Sequence, residues 1–122
     1  HVGEIQAWNV SDKKEVWTHN FEHQNWGPIL STAGNLLFAG GTNDHMFRAF
    51  DASTGTVLWE YPTLSGITAP ASTWSVDGTQ YVGVVSGWGV DAERKQGVFR
   101  TIIPGYDVHV PQGGAVYVFA LP

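Results

Sequence analysis

The sequence predicts an all-β fold assembled from repeated antiparallel hairpins, and three observations carry that prediction. The first is composition: 122 residues include 15 glycines and 6 tryptophans, with 43% hydrophobic and only 14% charged residues, a mixture suited to short strands and tight turns. No segment carries a sustained 3.6-residue apolar stripe, so no helix is expected. The second observation is a hairpin at residues 49–59, AFDASTGTVLW, and the third is an echo of it 42 positions earlier.

The hairpin has a physical logic of its own. Phe47, Ala49 and Asp51 alternate with Arg48 and Phe50, as the two faces of a strand require. The alternation stops at DASTG, where Asp51 and Thr54 can accept from backbone amides two residues on and Gly55 can take positive φ without a Cβ penalty. A second strand is expected at 57–61. The small Ala49 leaves room for the large ring of Trp59, which buries about 200 Å² if it docks against a neighbour.

Taken in order, residues 3–17 form the degenerate first copy. Ala7 falls on Ala49, Trp8 on Phe50, Asn9 on Asp51 and Trp17 near Trp59, but the turn SDKK has no glycine. A repeat of roughly 40–50 residues is that of β-propeller blades. Runs 28–34 and 35–41 read as two further strands separated by Ala33-Gly34. Within 67–89, Asp77-Gly78 marks a two-residue hairpin. VYVFAL at 116–121 can be laid on FRAFDA at 47–52, with no turn or tryptophan after it. About nine strands result, distributed as half of one sheet, a complete four-stranded sheet, and three strands of a last one.

Such a stack leaves both flanks open, and propellers solve that by closing a ring. Residues 1–122 are therefore expected to be a partial propeller of about two and a half blades, whose last sheet takes its outer strand from elsewhere, at the start of a longer protein. Residues 87–114 break the strand rhythm and read as a long loop, a lid candidate. The opening residue is His rather than Met, which fits a processed piece or fragment as well as a trimmed product.

Charge and residue content exclude some functions. The formal net charge of −5 and a pI near 5.3 come without any Lys/Arg patch, which argues against nucleic acid or an anionic membrane as partner. Without cysteine there is no disulfide or thiolate metal site within the chain. No 18-residue apolar run would span a membrane.

The hairpin AFDASTGTVLW resembles the tryptophan-docking repeat of the pyrroloquinoline quinone (PQQ)-dependent alcohol dehydrogenases, which are eight-bladed propellers. The ordered series GEIQAW (3–8), residues 25–61, residues 65–89 with SGWG, and PQGGAVYVFAL (111–121) is similar to the C-terminal blades of that family. The resemblance implies a periplasmic enzyme that oxidises a primary alcohol or related hydroxyl substrate and passes electrons to a cytochrome c. It also implies a calcium or lanthanide ion beside PQQ. The family's aspartate base, its metal-holding glutamate and asparagine and its vicinal disulfide belong to earlier blades. No catalytic or metal-binding residue is therefore assigned in this chain. The resemblance assigns cofactor contacts to Trp26, on the innermost connection entering a blade, and to Gly87, Trp88 and Gly89 at matching depth in the next. Trp26 would offer its indole N–H to a PQQ carboxylate, and Gly87 and Gly89 would let backbone amides approach. The family often has another glycine where this chain has Val90.

Each of these residues also has a plainer reading. Trp17 and Trp59 read as packing, and so do Trp8 and Trp74. His19 and His23 are four apart, metal-ligand spacing on a helix, but they lie on and just after a strand, where period two governs. His109, with Asp107 and Tyr106, could serve acid–base chemistry or line a substrate entrance. Glu93, Arg94 and Lys95 read as an exposed charge cluster. The rival to an enzyme is a non-catalytic propeller that scaffolds protein assembly. It would use the same hairpins and have no need of indoles aimed at the axis. A self-contained sugar-binding β-sandwich leaves the 42-residue echo unexplained.

Overall fold

The computed structural model describes the backbone of residues 1–122 and every side chain except those of Val90 and Asp91. Nine strands form three separate antiparallel sheets. β1 (Gly3–Asn9) pairs with β2 (Lys14–Phe21). β3 (Ile29–Ser31), β4 (Leu36–Ala39), β5 (Met46–Asp51) and β6 (Val57–Pro62) form a complete four-stranded meander. β7 (Ser72–Val76), β8 (Thr79–Gly87) and β9 (Gly114–Ala120) form the third sheet.

The repeat is visible in the register. Ala7 lies opposite Trp17 and Ala49 opposite Trp59, and in both hairpins the register shifts immediately after the alanine. The DASTG turn closes as its residues dictate. Asp51 Oδ1 accepts from the amides of Ser53 and Thr54, Thr54 Oγ1 accepts from the Thr56 amide, and Gly55 has φ +71°. In the degenerate copy Lys13 takes the place of Gly55 and is forced to φ +58°, a left-handed conformation costly for a residue with a Cβ. Asp77 and Gly78 both have positive φ between Val76 and Thr79, the geometry of a type I′ hairpin turn.

The sheets pack face to face, and β5 serves two cores because its faces alternate. Phe47 and Ala49, with Phe38, pack on Ile67, Ala71, Val82 and Val84 around the third sheet. Phe50, with Ala39, packs on Ile5, Trp17 and Phe21 of the first. Trp17 reaches across to the next sheet and donates its indole N–H to the Ala52 carbonyl at 3.0 Å. Trp59 stays 37% exposed and meets Phe119 edge-on, with ring centroids 4.9 Å apart, beside a groove of about 550 Å³. Trp74 stacks on Tyr81, and Trp8 is exposed and donates its indole N–H to the Gln6 side chain.

One element departs from expectation. Between β8 and β9 the chain forms a helix, α1 (Val90–Ile102), where a continuous loop over 87–114 was expected and no helix anywhere. Ala, Glu, Arg, Lys and Gln are all good helix formers, but the seam that α1 turns inward, Ala92 and then Gln96 one turn later, has a polar residue in it. An apolar stripe interrupted in this way gives no periodic signal. Gly89 caps the start, its carbonyl accepting from the Ala92 and Glu93 amides. Among the described residues no helix is long and apolar enough to cross a membrane.

Candidate functional site

Two connections converge where the sheets meet. The first leads from β2 into β3 and carries Trp26. Its backbone is held by an Asn25–Thr42 bridge and by the Trp26 amide donating to the Gly41 carbonyl at 2.9 Å. This connection passes so close to the one after β4 that a Cβ on Gly27 would lie 2.1 Å from the Gly40 carbonyl oxygen. Only glycine permits that approach.

The second connection is the end of β8, which carries Gly87, Trp88 and Gly89. The Ser65 amide donates to Ser86 Oγ at 2.9 Å, and Ser86 Oγ donates back to the Ser65 carbonyl at 2.8 Å; both side chains are buried. Next to them the Gly87 amide donates to the Gly66 carbonyl at 2.7 Å. The Trp88 ring lies directly on Gly66, where a Cβ would come within 1.5 Å of Cε3. Ala92 of α1 and Val110 cover the ring, leaving Trp88 4% exposed.

The two predicted tryptophans are thus brought together. Their rings meet edge to face with centroids 6.2 Å apart, and both indole N–H groups are buried with no acceptor among the described residues. The glycines divide. The Gly87 amide is bonded to the Gly66 carbonyl, beneath the Trp88 ring. Gly89 has open space where a Cβ would be.

Residues 93–95 are exposed, as expected of a charge cluster, and Glu93 and Lys95 also make contacts. The Lys95 ammonium lies 4.6 Å from the centroid of the Trp26 ring, and Glu93 accepts from the Gln112 side chain. Sequence reasoning also missed Gln96, buried with an unpaired amide nitrogen, and Gly66, whose role depends on a ring 22 residues away.

The remaining candidates do not assemble into a catalytic group. Tyr106 turns toward Asn43, whose amide bonds to its hydroxyl, and meets the His23 ring edge-on at 5.2 Å, while Asp107 and His109 are exposed. Burial pushes the Tyr106 phenol above its ordinary pKa. Beside it a cavity of about 270 Å³ is lined by Phe21, His23, Asn43 and Val108 among others. His19 packs edge-on against Phe21 and Phe50, and burial together with the Arg48 charge lowers its pKa. Burial pushes the Asp44 carboxyl up, but bonds from Arg48, Thr42 and the Met46 amide outweigh it and hold the pKa below the ordinary value. Among the described residues no three His, Asp or Glu side chains converge as a metal site.

Side-by-side antiparallel sheets, the first docked on the second by Trp17, with buried indole donors on the connections between them, define an arc of a β-propeller. Residues 1–82 match the family described as PQQ glucose/ethanol/alcohol dehydrogenase, β-propeller domain, and the chain belongs to that family. It is 41% identical over 122 residues to a quinoprotein ethanol dehydrogenase of Pseudomonas putida, covering all of this chain and 19% of that protein. It is 46% identical over 89 residues to a quinohemoprotein alcohol dehydrogenase of Comamonas testosteroni, 71% of this chain and 12% of that one. The solved structure of a Comamonas testosteroni quinohemoprotein alcohol dehydrogenase superposes with TM-score 0.76 at 34% identity, covering 96% of this chain and 16% of that chain. A europium-containing methanol dehydrogenase superposes with TM-score 0.79 at 31% identity, covering 97% and 23%. The chain therefore spans about a fifth of the length of the relatives it matches.

Proposed function

We propose that this chain supplies one wall of the cofactor pocket in a periplasmic PQQ-dependent alcohol dehydrogenase, acting with the remaining blades of an eight-bladed propeller. The observation that carries the reading is the pair of buried, unpaired indole N–H groups on Trp26 and Trp88. A buried donor without an acceptor costs about 1–3 kcal/mol, and a non-catalytic scaffold gives no reason to place two of them 6.2 Å apart, ring to ring. PQQ has three carboxylates and two quinone oxygens, acceptors of the kind these donors lack.

When bound, PQQ supplies the two-electron acceptor for the alcohol. Trp26 and Trp88 would hold PQQ by donating their indole N–H groups to its oxygens. The Ser65–Ser86 pair and the Gly66–Gly87 bond hold Trp88 at its depth, and α1 with the strap 103–113 excludes water from that side, the lid role. The base and the calcium or lanthanide ligands come from other blades, and a cytochrome c takes the electrons. The test is the full-length protein carrying this chain, purified with and without added PQQ. A quinone absorption band and PQQ-dependent oxidation of a primary alcohol with a cytochrome c acceptor are expected. A colourless protein that neither binds PQQ nor oxidises alcohols would return the fold to the scaffold reading.

A further inference from the structure

Helix α1 carries a third buried, unsatisfied donor, one turn beyond the alanine that covers Trp88. Ala92 packs on Trp88, and Gln96 lies one turn further along the same helix face. Gln96 is 1% exposed, and its Nε2 has no acceptor among the described residues. On the adjoining position Lys95 holds its ammonium over the Trp26 ring. The side chains gathered here thus offer two indole N–H groups, one primary amide nitrogen and one cation. Such a set matches an anionic, acceptor-rich ligand and mismatches a neutral apolar one.

We propose that Gln96 and Lys95 form a third cofactor-binding position, with the Gln96 amide donating to an oxygen of PQQ and Lys95 adding positive charge beside the ligand carried by Trp26. This rests on the PQQ reading above and extends it to a helix that carries none of the predicted contacts. It also explains why a glutamine interrupts the buried seam of α1. Leucine would pack there at no polar cost, so the amide has a partner to meet.

The experiment is a titration of the full-length, cofactor-free protein with PQQ at fixed excess calcium, read by equilibrium dialysis, with apo-protein melting measured in parallel. Gln96→Leu and the isosteric Gln96→Glu are compared with Lys95→Gln and Trp88→Phe. Gln96→Leu should weaken PQQ about tenfold or more and leave apo melting unchanged or raised. Gln96→Glu should weaken it further by repelling the carboxylates, and Lys95→Gln should flatten the salt dependence of binding. If Trp88→Phe weakens PQQ while both Gln96 variants bind within about twofold of the parent, this inference fails and the PQQ reading stands. If Gln96→Leu lowers apo melting with affinity intact, the glutamine is structural and the inference fails as well. If the parent protein does not bind PQQ at all, both fall.

Discussion

The Trp17 ring lies so closely over Gly55 of the neighbouring sheet that a Cβ there would come within 2.5 Å of Cε3. With the indole bond to Ala52, this contact fixes how one sheet sits on the next. Gly55→Ala must both displace the ring and hold alanine at φ +71°. A loss of about 2–4 kcal/mol is expected, read as a lower urea midpoint. Lys13→Gly at the equivalent turn should do the opposite, gaining about 0.5–1 kcal/mol by relieving a left-handed lysine. Destabilisation by Lys13→Gly would contradict the repeat.

Gly66 stands under Trp88 as Gly55 stands under Trp17. Gly66→Ala would push a methyl to within 1.5 Å of the indole, so the ring must leave its place. The purified protein should then carry less PQQ per polypeptide than the parent, measured from the quinone absorption. Full occupancy would show that Trp88's depth is immaterial to the cofactor.

Acid should weaken the chain in two steps. His19 has a lowered pKa, so the unfolded state takes up its proton first; the stabilising contribution is complete above about 6.5 and is lost as pH falls from there toward the folded value. Asp44 is likewise depressed, and its contribution is complete above about 4 and is lost as pH falls through its folded value. His19→Gln should abolish the first step and Asp44→Asn the second in a urea-midpoint series against pH. Persistence of both steps in both variants would assign them elsewhere.

The strap after α1 is pinned by Tyr106 to Asn43, by the Ser65 hydroxyl to the Pro111 carbonyl, and by Arg100 to the Val108 carbonyl at 2.9 Å. Tyr106→Phe removes one pin of about 1 kcal/mol, so amide exchange over residues 104–113 should quicken about fivefold. Because the phenol pKa is raised, the contribution of Tyr106 persists below about 10 and disappears only as pH rises through the folded value. Unchanged exchange in the variant would mean that the strap is held by its other contacts alone.

What could be read in advance follows from how local the cause is. The DASTG and Asp77-Gly78 turns, the Ala49–Trp59 pairing and the 42-residue echo depend on neighbours in sequence, and each appears in the register. α1 was missed because its inward seam contains a buried Gln96, which interrupts the apolar stripe. The acceptor of the Gly87 amide was equally out of reach, since Gly66 lies on another connection. The family resemblance singled out Trp26 and Trp88; that their indoles meet edge to face, with no acceptor among the described residues, needed the fold.

The most direct measurement is the PQQ dissociation constant of the intact cofactor-free protein against that of the Trp26→Phe/Trp88→Phe double variant, which keeps two aromatic rings and removes both N–H groups. The account predicts weakening of about 100-fold or more with the apo melting temperature nearly unmoved. Equal affinities in the two proteins would contradict it, because the two donors would then serve something other than the cofactor.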